Sequence, residues 1–483
     1  MSLSILNDLL KIQSVLLLFL LFTFFKSNAE KLRKNDPEPD SIAVLSLEEL
    51  YKQILENHPV AKQAILLSEN AKQQLRLSRG YFDPKIKSTY DTKEFHETEY
   101  YSLWKTELKI PVWIGGIDLK AGYEKNTGYY LNPEHNTDDG NGLPYAGISV
   151  PIGKGLFIDQ RRASVKQAAI FEEISEAEKV KIINKLILQI AKDYWNWYFY
   201  YHQYETLVRG FEIAEFFFKS VKTRVEQGDM ASIDSVEAKI TMQQRELDLN
   251  NAEVQLKNAR LMLSNHIWGP ESEPLELSES VNPVNLPWEY ENPQTLQELM
   301  DYAMENHPEL LKIRFKNEQL LVDRRLSREM LKPELNLNYN FLQDTESEFD
   351  YAYFSENYKL GISFEMPIFL RKERAKVQQV NIKIDQNQLE RKQKEREIIN
   401  ELNAKYNELV NLNKQLDLQE EMVDNYSIMV RGERQKFRAG ESSVFYVNVR
   451  ENKLIDAEVK LFKMRYEFAK SIAELRWAAG QGI

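Results

Sequence analysis

The sequence contains two copies of one unit, and this duplication limits the fold more than any other feature does. The tetrapeptide Glu-Asn-His-Pro at residues 56–59 recurs at residues 305–308, an offset of 249 positions. Farther along the chain, residues 157–167 match residues 369–379 at an offset of 212 positions. The two offsets differ by 37, so the first copy carries 37 additional residues between the matched segments. A repeat of this size predicts two structural units of the same architecture.

Each copy contains a stretch of about seventy residues that shows no insertion or deletion relative to the other copy, which is typical of a rod. Apolar residues follow one another in this stretch at steps of three, four or seven, the period of one helix face. In the second copy these positions are Ile398, Leu402, Tyr406, Leu409, Leu412, Leu416, Val423, Tyr426, Val430 and Phe437. The first copy is apolar at all ten equivalent positions, from Leu186 to Val225. We therefore predict two helices, each roughly 105 Å long at 1.5 Å per residue.

A glycine ends each long helix, and a second amphipathic segment follows it. Gly228 and Gly440 stand at equivalent positions, where the left-handed conformation that glycine accepts can end a helix and reverse the chain. Each copy also begins with a shorter helix, interrupted before Pro59 or Pro308. The short helix and the return helix together nearly match the long one, so we expect them to stack end to end alongside it. The histidine before each proline is expected to cap or pack at the interruption.

These features divide the chain into two repeats joined by a proline-rich segment. The predicted segments are a signal peptide at 1–29, a linker at 30–45, a first repeat at 46–269, a proline-rich inter-repeat linker at 270–294 and a second repeat at 295–483. Within the repeats we predict β segments at 85–152 and 335–366, long helices at 158–227 and 370–439, and return helices at 232–266 and 444–479.

The N-terminal segment has the pattern of a secretory signal peptide. An apolar run at residues 12–25 precedes Ser27 and Ala29, small residues that suit cleavage after Ala29. A run of about fourteen apolar residues is too short to cross a bilayer as a helix. We therefore expect this segment to direct export and then to be removed.

Between the short helix and the long helix of each copy, the side-chain period changes from 3.6 to 2. In the second copy two runs of about ten residues alternate apolar and polar side chains, the pattern of a tilted strand that crosses a membrane. The 37 additional residues of the first copy predict an added hairpin or a long loop. One copy offers too few strands to close a barrel, and lipid tolerates no open sheet edge. We therefore predict one barrel that is assembled from several chains.

The alternation also assigns side chains to two faces of the predicted barrel. The residues expected to line the lumen are Asn336, Asn338 and Asn340, and those expected to contact lipid are Leu337, Tyr339, Leu360 and Ile362. A soluble sheet with one wetted face is the alternative explanation of an alternating strand. The export signal that precedes these segments favours the membrane.

Composition excludes several classes of function. A chain with no cysteine has no disulfide, thiolate metal site or cysteine nucleophile, and six scattered histidines offer no metal cluster. A net charge of −11 argues against a nucleic-acid partner, because nucleic-acid affinity depends on cationic surface. The sequence also shows no convincing pair of nucleophile and base. We therefore predict that the chain is not an enzyme and binds no cofactor or metal.

The order of these features, duplicated along the chain, resembles the TolC-like outer-membrane efflux channel family, the outer membrane factors of tripartite efflux or type I secretion systems. The resemblance rests on the paired Glu-Asn-His-Pro openings, a proline before each strand pair, Gly-Ile-Ser strands at Gly147 and Gly361, and hairpin turns at Gly228 and Gly440. It implies a fold that is mainly α with membrane β. In that fold, duplicated long helical hairpins form a trimeric α-helical tunnel continuous with a shared outer-membrane β-barrel.

The resemblance further implies an exit duct across the periplasm and outer membrane of a Gram-negative bacterium, serving a tripartite pump for small toxic compounds, drugs or metal ions. The implied partners are two further copies in a homotrimer, a periplasmic adaptor (membrane fusion protein), an inner-membrane transporter and outer-membrane lipid. A type I secretion duct for proteins is the alternative within the family. A periplasmic adaptor or scaffold coiled coil is the alternative from another class; it would carry one hairpin and a lipoyl-like domain.

The resemblance places the two glycine turns at the periplasmic tip, where the gate and the adaptor docking surface are expected. The residues assigned to this tip are Gly228, Asp229, Asp234, Phe437, Gly440, Glu441 and Tyr446. Well-known members of the family carry acidic residues six and nine positions after the second glycine. Here those positions are Tyr446 and Val449, so that acidic ring is absent from this chain.

Overall fold

The computed structural model describes residues 44–131, 135–137, 141–284, 294–343 and 356–482. The predicted signal peptide, nearly all of the linker after it and residues 285–293 of the inter-repeat linker lie outside these ranges. The helices are α1 (Leu47–Asn57), α2 (Pro59–Arg79), α3 (Gln160–Glu226), α4 (Ser232–Ser264), α5 (Leu296–Asn306), α6 (Pro308–Glu329), α7 (Arg371–Arg438) and α8 (Val444–Ala478). The strands are β1 (Val44–Leu45), β2 (Lys85–Phe95), β3 (Thr98–Pro111), β4 (Asp118–Thr127), β5 (Leu143–Pro151), β6 (Asn282–Pro283), β7 (Glu334–Leu342) and β8 (Tyr358–Glu365).

Two long helices dominate the fold, one in each repeat. Helix α3 has 67 residues and α7 has 68, so each is about 100 Å long. All twenty positions of the predicted apolar faces are buried or half-buried, and Trp197, Leu402 and Leu409 are almost fully enclosed. The prediction of two long, laterally packed helices is confirmed. None of the helices in the described ranges combines the length and the apolar composition needed to cross a membrane.

In each repeat the shorter helices stack end to end, as expected. The start of α2 meets the end of α4, where the rings of His58 and His266 lie 5.9 Å apart. The start of α6 meets the end of α8, where a Cβ added to Gly480 would come within 2.9 Å of Pro308 Cδ. Nδ1 of His58 accepts a hydrogen bond from the Val60 amide, and Nδ1 of His307 accepts one from the Glu309 amide. Both histidines therefore cap a helix that begins with proline, which confirms a structural role.

Two partly buried carboxylates, one on α6 and one on α8, each form ion pairs with both long helices. Glu309 of α6 pairs with Lys181 of α3 at 2.7 Å and with Lys394 of α7 at 3.0 Å. Burial raises the pKa of the Glu309 carboxyl, but hydrogen bonds from the two lysines outweigh burial and lower the pKa to about 2. Glu474 of α8 bridges the same two long helices through Lys192 and Lys405. Each of the two carboxylates is therefore paired with one lysine from each long helix.

The long strands form one antiparallel sheet in the order β2-β3-β4-β5-β7-β8. The two repeats meet between β5 and β7, where Ile148 lies opposite Tyr339. The repeat offsets map β7 onto β2 and β8 onto β5, so β3 and β4 have no counterpart in the second repeat. The 37 additional residues thus contribute a hairpin that continues the same sheet.

A separate small unit contains residues 44–46 and 278–284 among those described. In it Val44 and Leu45 of β1 pair in parallel with Asn282 and Pro283 of β6. Both strands lie in the stretches predicted to be linkers, 30–45 and 270–294, and each has only two residues. A strand of two residues is too short to show a side-chain period, so the pattern could not reveal it.

Candidate functional site

The six-stranded sheet has one face of apolar side chains that are largely exposed. One row of directly paired residues crosses all six strands: Ile86, Leu108, Ala121, Ala146, Phe341 and Tyr358. The neighbouring row on this face contains Ile110, Leu119, Ile148, Tyr339 and Leu360. Ile86 is 76% exposed and Ile362 is 68% exposed. A soluble monomer rarely leaves an apolar surface of this extent uncovered.

The opposite face of the sheet is polar and carries charges of both signs. Lys109 pairs with Asp118 at 2.8 Å, and Lys105 forms an ion pair with Glu124. The Tyr145 hydroxyl donates a hydrogen bond of 2.8 Å to Glu107, which lies two strands away. Such a face suits contact with water and not with lipid.

The residues predicted to line the lumen and those predicted to contact lipid lie on opposite faces of this sheet. Asn338 is on the polar face, where its Oδ1 accepts a hydrogen bond of 3.1 Å from Lys120 Nζ. Leu337 lies opposite Ile362 on the apolar face. Asn336 and Asn340 alternate with Leu337 and so share the face of Asn338. Which face meets lipid stays a prediction.

The sheet ends in two unpaired edges, and aromatic clusters mark both ends of its strands. Within the described ranges, neither β2 nor β8 pairs with a further strand on its outer side. At the end nearer the helices, the rings of Phe82 and Trp113 lie 5.1 Å apart. At the far end, Tyr100 lies 4.8 Å from Tyr130. Aromatic belts at both ends of a ten-residue strand are typical of the two interfaces of a membrane barrel.

The glycine turns of the two helical hairpins have the backbone conformation that requires glycine. The φ angles of Gly228 and Gly440 are +83° and +76°. After each glycine the next amide bonds back to the end of the helix, from Asp229 N to Arg224 O and from Glu441 N to Lys436 O, both at 2.9 Å. Both turns thus have the helix-ending geometry in which a left-handed residue permits reversal of the chain.

Side chains near the two turns pack the hairpins against each other. Val221, Ala238 and Val444 are buried together, from α3, α4 and α8. Phe437 of α7 joins this cluster, with its ring 5.4 Å from Phe217 and 5.6 Å from the Arg224 guanidinium. The hairpins of the two repeats therefore meet near their turns in a single chain.

The structure brings the predicted tip residues to one end of the hairpins but gives them different environments. Asp229, Glu441 and Tyr446 are exposed, whereas Asp234 is half-buried in the first turn of α4. Phe437 packs within the cluster between the hairpins. The exposed members are the most accessible to a partner or to a second copy, and the half-buried Asp234 is accessible in part. The role of all of these residues in a gate or docking surface stays a prediction.

Helix α4 carries a second uncovered apolar surface, which the sequence reasoning did not single out. Five residues spaced by seven positions are 57–69% exposed: Ile233, Ile240, Leu247, Val254 and Leu261. The side that α4 buries instead carries Ala238, Arg245, Ala252 and Ala259, also spaced by seven positions. We call the five exposed residues the α4 stripe. Its heptad spacing was a signal in the sequence, since a sustained seven-residue apolar repeat indicates a coiled-coil seam.

Comparison with known proteins agrees with this geometry. Residues 299–481 match the family model described as outer membrane efflux protein. The chain matches no curated protein. It is similar in structure to the CmeC outer membrane channel of Campylobacter jejuni, with a TM-score of 0.62 and 14% identity, covering 90% of this chain and 85% of that one.

Two further outer-membrane proteins have the same fold. The MtrE outer membrane channel of Neisseria gonorrhoeae in its open state gives a TM-score of 0.63 at 16% identity, covering 93% of this chain and 94% of that one. The outer membrane protein VceC of Vibrio cholerae gives 0.60 at 14% identity, covering 90% and 96%. These likenesses confirm the predicted fold class, and the family match agrees with the prediction of a protein that is not an enzyme. Residues 299–481 therefore match the outer membrane efflux protein family, and the chain, across both repeats, has the fold of outer-membrane channels.

Proposed function

We propose that this protein is an exit duct in the outer membrane of a Gram-negative bacterium, extending into the periplasm and serving a tripartite efflux pump. The observation that carries the proposal is the six-stranded sheet, which is apolar and exposed on one face, charged on the other and unpaired at both edges. A sheet of this kind is stable in a bilayer only when its edges are closed. The match of residues 299–481 to the outer membrane efflux protein family supports a duct of this kind, and a type I secretion duct for proteins is the alternative within the family.

Closure requires other copies of the chain, because the two edges, β2 and β8, do not pair with each other. If β8 of one copy pairs with β2 of the next, three copies of a six-stranded sheet give an eighteen-stranded barrel. Barrels of about 16–18 strands enclose an aqueous channel. The polar face would then line the water-filled lumen, and the apolar face would contact lipid.

The α4 stripe supports the homotrimer independently of the sheet. Large apolar side chains at heptad spacing are stable in water only when another helix covers them. The chain's own helices pack on the alanine side of α4 and leave this stripe open. A helix of a neighbouring copy is the occupant we propose, which would extend the barrel into a tunnel of paired hairpins.

The tips of the hairpins are the proposed contact point for the other components of the pump. Asp229, Glu441 and Tyr446 are exposed there, beside the two glycine turns. A periplasmic adaptor linked to an inner-membrane transporter would dock at this end and supply the work of transport. The duct itself needs no cofactor and no catalytic residue, and opening would be a rotation of the hairpins about their tip contacts.

Fractionation and electrical recording test the proposal together. The full chain, expressed with its N-terminal segment, should appear in the outer-membrane fraction as an oligomer that detergent preserves and heating dissociates. The purified oligomer should conduct ions in a planar bilayer. A monomer in the soluble periplasmic fraction that does not conduct would contradict the proposal and favour the adaptor alternative.

A further inference from the structure

We propose that the segment after β8 and the start of α7 form a binding surface for anionic phospholipid, at the inner leaflet of the outer membrane. We call residues 368–376 the basic collar. The proposal rests on the proposed function, because it places this junction of strand and helix where the barrel leaves the membrane. The ligand class is a phosphate headgroup with a net negative charge, attached to acyl chains.

The first evidence is an uncompensated cluster of cations. Residues 371–376 contain Arg371, Lys372, Arg374 and Lys376 and one carboxylate, Glu373. All four cationic side chains are exposed. Among the residues that the structure describes, none of the four forms an ion pair; Arg371 instead lies 5.0 Å from the Phe369 ring. Such a cluster raises the local concentration of anions.

The first repeat shows that this place in the fold does not require free cations. The residue equivalent to Arg371 is Asp159, whose carboxylate accepts a hydrogen bond from the Arg162 amide and caps α3. The arginines that follow are neutralised: Arg162 pairs with Asp159, and Arg161 pairs with Asp118 at 2.7 Å. The second repeat has no such cap and has more cations at this place, so the charge of the collar is not a requirement for starting a helix here.

The free cations also destabilise the start of α7. The amino end of a helix has a partial positive charge, so nearby cations destabilise it and an anion stabilises it. Leu370, the residue that precedes α7, provides no side-chain hydrogen bond to the first turn and has a left-handed φ of +47°. A bound phosphate would offset the repulsion among the cations. It would also offset the repulsion between the cations and the partial positive charge of the helix end.

The second, independent evidence is apolar and distinguishes a lipid from a free anion. Ile368 is 90% exposed and Phe369 is 68% exposed, directly before the cations. They follow in the chain the exposed apolar residues of β8, where Ile362 and Phe364 are each 68% exposed. An apolar surface that ends at a row of lysine and arginine side chains matches acyl chains that end at anionic headgroups.

Native mass spectrometry of the full chain, purified from outer membranes and stripped of lipid, tests this. Phosphatidylglycerol and phosphatidylethanolamine are added in turn. The test variant is R371Q/K372Q/R374Q/K376Q. The control variant K383Q/K392Q/R396Q/K414Q removes the same charge from exposed positions farther along α7, at least about 10 Å beyond Lys376, which exceeds the Debye length of about 8 Å at physiological ionic strength.

We expect the wild type and the control to retain phosphatidylglycerol in preference to phosphatidylethanolamine, and the test variant to lose at least about tenfold in retained phosphatidylglycerol. If the test variant does not reach the outer membrane, the double variant R371Q/K372Q is measured instead, with an intermediate loss expected. Equal retention of the two lipids by wild type, or unchanged retention in the variant, would overturn the proposal.

The outcome also separates this proposal from its rivals. If the test variant loses oligomer mass while each remaining copy binds as much phosphatidylglycerol as wild type, carboxylates of a neighbouring subunit cover the collar and the proposal is wrong. If inorganic phosphate alone displaces the lipid at equal concentration, the site is a simple anion site and the lipid assignment is wrong. Failure of the proposed function would appear earlier, as wild-type protein absent from the outer membrane.

Discussion

Tyr339 and Leu360 lie directly opposite each other on β7 and β8, with both side chains on the apolar face of the sheet. The next residue back along β7, Asn338, lies opposite Gly361 on the polar face. Neighbouring positions of β7 and β8 therefore place their side chains on opposite faces of the sheet. Substitutions at two such positions can be compared directly to determine which face contacts lipid.

Leu360→Lys should lower the outer-membrane yield of the protein far more than Asn338→Lys. A lysine on the lipid-facing side near the bilayer centre costs about 2–4 kcal/mol, whereas a lysine facing the lumen remains hydrated. Heat-resistant oligomer in purified outer membranes, measured against total expressed protein, is the readout. Equal yields of the two variants would reverse the assignment of the faces.

The carboxylates at the hairpin tips are expected to hold the duct closed. Replacing Asp234 and Glu441 together with alanine should raise single-channel conductance in planar bilayers, because it removes polar contacts between neighbouring tips. The control is the double variant E246A/E390A, which removes two exposed carboxylates away from the glycine turns. Unchanged conductance in the tip variant would remove both residues from the gate.

Stability should fall on acidification because of His307. Burial lowers the pKa of this imidazole from 6.5 to about 4. Between these values the unfolded chain binds more protons than the folded chain, so the folded state loses stability as pH falls from about 6.5 to about 4. The loss from this residue is about 3 kcal/mol. Thermal unfolding followed across this range measures it.

His307→Asn isolates that contribution, since asparagine can still accept the Glu309 amide at the helix start but does not titrate. The variant should lose less stability than wild type over the same pH range. His96→Asn, in the exposed turn between β2 and β3, serves as the control and should follow the wild type. A variant whose pH dependence matches wild type would show that His307 isn't the group responsible.

The α4 stripe should be required for assembly. Leu247→Lys places a charge at the centre of the stripe, where the side chain is 58% exposed in one chain, and should weaken or abolish the oligomer. Gln255→Lys adds the same charge at an exposed polar position that lies one residue after Val254, about 100° around the helix from the stripe, and should assemble normally. Mass measurement in mild detergent checks both variants, and an intact Leu247→Lys oligomer would exclude the stripe from the interface.

Much of the fold was accessible from the sequence because its signals are local and repeated. The spacing of three and four residues identified the apolar face of α3 and of α7. Because the apolar positions of the two helices correspond at an offset of 212, the prediction for each helix supported the prediction for the other. The turns at Gly228 and Gly440 required only the recognition of a residue that accepts positive φ. The 37 additional residues were recognised as a hairpin or a loop, but strand pairing is a long-range property, so their place between β2 and β5 was not accessible.

The site was accessible in part for the same reason. Alternation separated Asn338 from Leu337, and the pairing of β7 with β8 then extended that separation across the sheet. The α4 stripe was overlooked because its seven-residue spacing also occurs on the buried side of the helix, at Ala238 and Ala252. Sequence spacing reveals two apolar faces on such a helix but does not say which one the chain itself covers.

The most direct measurement of the central claim is a cryo-EM map of the purified oligomer in lipid nanodiscs. We predict a single closed barrel in the bilayer, in which β8 of each copy pairs with β2 of the next and each copy contributes six strands. Eighteen strands are expected for a trimer. A sheet that lies outside the bilayer, or one whose edges are sealed within a single chain, would contradict the account.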